Sequence, residues 1–109
     1  MIILMNLFFF SGLLLAALSI PMIKGKIPPN GLYGFRVKKT MENPEIWYPV
    51  NAYSGKWLLA ASLVQALAAV VAYYIPGISL DVYAYLVLAV WVVVFGIALT
   101  ASIRYLNSM

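Results

Sequence analysis

The chain has no cysteine and no histidine, and among its 109 residues only Glu42, Glu45 and Asp81 are acidic. These absences exclude whole classes of chemistry. Without Cys there is no disulfide framework and no thiol nucleophile, and without His there is no imidazole base and no Cys/His metal cluster. Three carboxylates are a thin supply for acid/base or metal work. Charge of either sign is also scarce, at 9% of residues against 65% hydrophobic. Soluble domains run at about 25% charged and about 45–50% apolar, and a chain of this length has too little interior to hide so much apolar surface. A soluble enzyme is therefore set aside, and no catalytic residue, metal or cofactor is expected.

What is present is three long apolar runs. Residues 2–23, 57–75 and 82–103 carry no Asp, Glu, Lys or Arg. At about 1.5 Å per residue, runs of about 19–22 residues cross a hydrocarbon core of about 30 Å. The expectation is an all-α membrane protein, one three-span domain over residues 1–109, with segment 24–56 between spans one and two. The first run is read as a retained helix. Ala17-Leu18-Ser19 loosely matches a cleavage site, but no basic residue precedes it and the run exceeds a signal sequence's roughly 7–15-residue apolar region.

The seven basic residues fall on one side of this arrangement. Lys24, Lys26, Arg36, Lys38, Lys39 and Lys56 lie between spans one and two, and Arg104 closes span three. The positive-inside rule then makes segment 24–56 cytoplasmic, with the N-terminus outside and the C-terminus inside a multi-pass cell-membrane protein. The net charge of +4 reads as orientation and contact with anionic membrane lipid, not as direct nucleic-acid binding. Tyr73, Tyr74, Tyr83 and Tyr85 are expected at the outer interface. Tyr48, Tyr53, Trp57 and Tyr105 are expected at the inner one. No ionisable group lies deep in a span, which argues against coupled transport.

Small residues recur at helical spacing: Gly12, Ala16 and Ser19; Ala61, Gln65, Ala68 and Ala72; Gly96 and Thr100. Such faces let helix backbones approach in lipid, either within a three-helix bundle or between copies in a homo-oligomer. Gln65 is the foremost candidate for an interhelical hydrogen bond.

Segment 24–56 is patterned beyond the needs of a tether. Pro28-Pro29 stiffens the exit from span one, and Asn30-Gly31 signals a turn. Residues 32–37 alternate weakly, as a short strand or extended strip, with Gly34 marking a bend or a close approach. Asn43 then reads as a helix N-cap, Pro44 as the first helical residue and Glu45 as a favourable charge beside the helix start. Trp47, Asn51 and Gly55 share a face, and Pro49 either kinks this helix or marks its true start. The expectation is an interfacial helix that turns into span two near Ser54 or Gly55.

The joint spacing of Pro29-Asn30, Gly34-Phe35-Arg36, Thr40, Trp47 and Asn51, with Gly55 following, resembles the signature of the SdpI-type family of small bacterial and archaeal membrane proteins. The likeness covers about a third of the chain. Val37 and Lys38 stand where the family often has threonine and proline, and Ala52 where it often has a basic residue. The resemblance implies a polytopic membrane protein serving immunity to a secreted membrane-active toxin. The toxin peptide would arrive from outside, and a cytoplasmic regulator would meet the loop. Asn30, Gly34, Arg36, Thr40, Trp47 and Asn51 are then the candidate residues for binding a ligand or partner, or for structuring the loop. A guanidinium at Arg36 suits a phosphate or carboxylate, and it stacks on aromatic rings. The alternative is a holin-like or other small oligomeric pore, which shares the length, span count and orientation.

Overall fold

The computed structural model describes residues 1–30, 34, 36 and 38–109. Among them the chain forms four helices and no strand: α1 (Ile2–Ile23), α2 (Lys38–Glu42), α3 (Pro44–Tyr73) and α4 (Leu80–Asn107). The strand or strip expected over residues 32–37 lies mostly outside the described residues. Helices α1, α3 and α4 are each long and apolar enough to cross a membrane.

Helix boundaries follow local chemistry. Gly25, at φ 67°, closes α1, with the Lys26 N–H returning to the Pro21 carbonyl at 3.0 Å. Ser79 opens α4, its Oγ accepting the Val82 N–H at 3.2 Å. Pro44 occupies the first turn of α3, as its missing N–H allows. Asn43 holds the N-cap position but makes no side-chain cap. Its Nδ2 donates instead to the Lys39 carbonyl at 2.9 Å, tying α2 to the start of α3.

One expectation about α3 needs correction. There is no separate interfacial helix turning near Ser54 or Gly55, because α3 runs unbroken for 30 residues through Pro49. Proline there forgoes one bond, to the Glu45 carbonyl. Both residues are exposed, so that carbonyl keeps access to solvent and the helix continues. At about 1.5 Å per residue α3 is about 45 Å long, enough to cross a hydrocarbon core of about 30 Å and project beyond it.

α3 is the shared core element. Gly12 of α1 lies so close that a Cβ there would stand 2.9 Å from the Ser62 carbonyl oxygen. Gly55 of α3 is as tight, 3.0 Å from the Ser19 carbonyl and 3.1 Å from Met22 Cβ. Ala16, Ser19, Ala61, Ser62, Ala66 and Ala72 are buried along this seam or elsewhere on α3. With lipid as solvent, such close backbone approach supplies the packing that holds helices together. Gln65 joins α3 to α1 as expected, donating from Nε2 to the Phe8 carbonyl (2.9 Å) and Ser11 Oγ (3.0 Å).

On the other side, α4 meets α3 through Tyr83 and Val87, which cluster with Ala69 and Ala72. Tyr83, expected near the outer interface, turns into the bundle. It is fully buried, its hydroxyl donating to the Ala69 carbonyl at 2.7 Å, which satisfies the polar tip inside the bundle. At the opposite end Ser102 bonds Ser54 Oγ at 3.0 Å, and the Tyr53 and Tyr105 rings stack 4.2 Å apart. Of the two uses read for small faces, Gly96 and Thr100 do not serve packing within the bundle. Both are exposed, a Cβ on Gly96 would meet nothing within 4 Å, and Thr100 bonds only back to the Gly96 carbonyl.

Candidate functional site

The basic end of the bundle carries the site. The chain leaves α1, passes Ile27-Pro28-Pro29-Asn30, and comes back over the projecting start of α3. Asn30 folds its own turn, Nδ2 donating to the Pro28 carbonyl at 2.8 Å. Its backbone carbonyl accepts from Arg36 Nε at 2.8 Å. Arg36 is exposed, and this bond leaves its terminal nitrogens available to another acceptor.

Trp47 is the anchor. It is completely buried, and its indole N–H donates to the Ile27 carbonyl at 2.7 Å. A Trp N–H out of contact with water needs such a partner, and a backbone carbonyl of an irregular segment is free to be one. One turn later Asn51, also buried, donates Nδ2 to the Trp47 carbonyl at 3.0 Å. Its Oδ1 is thereby aimed at Gly34. A Cβ on Gly34 would stand 2.8 Å from that oxygen and 3.1 Å from two Trp47 ring carbons. Gly34 also has φ 114°, a conformation few side chains tolerate. The close approach read from the sequence at this glycine is therefore present, for both reasons.

Thr40 lies fully buried on α2. Beside it Lys39 reaches across to α4, Nζ donating to the Leu106 carbonyl at 3.3 Å, where a cation complements the negative helix end. Of the six candidates, then, Gly34, Trp47 and Asn51 form one contact group. Asn30 and Arg36 form a second along the strap, and Thr40 is buried in α2. Tyr33 and Phe35, the aromatic residues nearest Arg36 in sequence, lie outside the described residues. The Ile27 carbonyl and the Lys39–Leu106 link were not foreseen, since a backbone acceptor and a lysine 67 residues from its partner leave no local pattern.

Directly beneath Gly34 is a cavity of about 290 Å³ between α1, α3 and α4. Leu15, Leu18 and Met22 line it from α1, Ser54 and Leu58 from α3, and Phe95, Ala98 and Leu99 from α4. It is mostly apolar, and Gly34 forms part of its wall.

A chain with three helices long and apolar enough to cross a membrane has the architecture of a multi-pass membrane protein. A profile of the SdpI/YfhL protein family matches residues 26–105, from the loop through all of α3 and most of α4. The chain belongs to that family. No curated protein and no solved structure matches it.

Proposed function

We propose that this protein is a non-enzymatic SdpI-like membrane protein of the cell membrane, acting in immunity to a secreted membrane-active toxin and signalling through its loop. The N-terminus faces outward and the basic loop faces the cytoplasm, in keeping with the positive-inside rule. The observation that carries this reading is the cavity of about 290 Å³ whose wall includes Gly34. An apolar toxin segment entering from the lipid between α1 and α4 meets the same glycine that Trp47 and Asn51 hold in place. Displacing it loosens the strap of Asn30 and Arg36 and changes what a cytoplasmic regulator meets.

The test is expression in a toxin-sensitive bacterial host challenged with a panel of membrane-active peptides. Survival rises with the parent protein. It is lost with Ala98→Leu, which fills the cavity, at equal membrane abundance. Arg36→Ala inserts normally and loses signalling. No protection against any peptide overturns the proposal, and abrupt lysis on induction identifies a pore instead.

A further inference from the structure

A second concavity lies on the α3/α4 face, away from the loop cavity. It is an open groove of about 790 Å³ between Tyr53 and Trp57 of α3 and the stretch of α4 from Val92 to Tyr105. Its floor is Gly96, exposed and with open space where a side chain would stand. Its mouth is Arg104, exposed, with no side-chain bond to any described residue, next to the stacked Tyr53 and Tyr105 rings. Lys56 borders an adjoining depression against the other side of Trp57.

The dimensions and the charge select one occupant. From Arg104 to Val92 is 12 residues of helix, or about 18 Å, close to one leaflet of a core about 30 Å thick. A cation at the headgroup level above an apolar trough one leaflet deep is complementary to a phosphate carrying an acyl chain. Guanidinium is also the side chain whose donors fit phosphate in pairs. Two tyrosines and a tryptophan at the same level have the amphipathic character that favours the interface. We infer that this groove binds an anionic phospholipid, phosphate on Arg104 and one acyl chain laid over Gly96 and Ile97. The site is independent of the loop and of the proposed immunity role.

Native mass spectrometry of the full chain, with equal amounts of phosphatidylglycerol and phosphatidylcholine of identical acyl chains, tests it. The parent retains phosphatidylglycerol with about tenfold preference, beyond the roughly fivefold that one freely exposed cation gives. Arg104→Gln abolishes the preference. Gly96→Leu abolishes it too, by filling the trough while leaving every charge in place. Lys24→Gln, which removes an exposed cation at the end of α1, leaves it unchanged. The inference is overturned if Lys24→Gln and Arg104→Gln act alike, if Gly96→Leu has no effect, or if excess inorganic phosphate displaces the lipid. It is equally overturned if Gly96→Leu disrupts a dimer of this chain, which would make the groove a seat for a second copy.

Discussion

Replacing Gly34 by alanine probes the loop directly. Two costs apply. Holding an alanine at φ 114° costs about 1–3 kcal/mol, the range for residues in sparsely populated backbone regions. The added methyl then meets Asn51 Oδ1 at 2.8 Å and the Trp47 ring at 3.1 Å, and overpacking of this kind costs about 1–3 kcal/mol. Neither neighbour yields easily. Turning Asn51 away breaks its bond to the Trp47 carbonyl, and shifting the ring breaks the indole bond to Ile27. Even at the lower sum of about 2 kcal/mol, the equilibrium for lifting the loop rises about 30-fold, since about 1.36 kcal/mol is a factor of ten.

The chain has no cysteine, so a Thr40→Cys reporter gives a unique thiol at a fully buried loop position. Its alkylation by a water-soluble maleimide, limited by opening, accelerates at least about 30-fold with Gly34→Ala by that same arithmetic. In a Trp57→Phe, Trp91→Phe background, Trp47 emission shifts to the red. Gly77→Ala is the control. Gly77 also has positive φ, 73°, but nothing lies within 4 Å of its added Cβ, so the backbone cost alone applies, and far from the loop. Unchanged labelling in Gly34→Ala, or equal acceleration in Gly77→Ala, would refute the claim that Gly34 is wedged against Trp47 and Asn51.

Four further outcomes follow from the packing. Gly12→Ala destabilises the bundle by about 1–3 kcal/mol in a detergent unfolding titration, because the new methyl meets the Ser62 backbone, whereas Gly96→Ala, with open space around it, does not. Tyr83→Phe loses one buried hydrogen bond and costs about 1 kcal/mol in the same titration. Gln65→Leu changes stability by less than about 1 kcal/mol, because interhelical bonds in lipid average about 0.6 kcal/mol and the substitution also removes Oε1, a buried acceptor with no partner among the described residues. Trp47→Phe keeps most of the apolar bulk but strands the Ile27 carbonyl, costing about 1–3 kcal/mol, read as faster labelling of the Thr40→Cys thiol.

The spans were legible because uninterrupted apolar length is a strong signal: α1 matches its run, and α4 exceeds its own by a few residues at each end. Trp47, Asn51 and Gly55 were legible as one buried face because helical spacing places them there whatever they touch. Pro49 misled, since the sequence does not say that the carbonyl it leaves unpaired is exposed. For Tyr83 the sequence points to a level along the bundle but not to a partner. Its position in the first turn of α4 suits the interface, and only the Ala69 carbonyl across the bundle draws it inward. Gly96 shows the limit of small-residue patterns. The same residue type that seats α1 on α3 at Gly12 leaves a trough open on α4, and spacing alone does not distinguish them.

The unbroken course of α3 makes it a lever. Gln65, bonded to α1, and Trp47, clasped by the strap, sit 18 residues apart on one rod, about 27 Å along its axis. Pro49 removes one backbone bond between them but leaves the helix continuous, so a rocking of about 5° about the Gln65 level carries Trp47 sideways by about 2 Å. Gly34 has no room for even a methyl group against Trp47 and Asn51, so small reorientations at the Gln65 level arrive at the basic end as a gain or loss of contact.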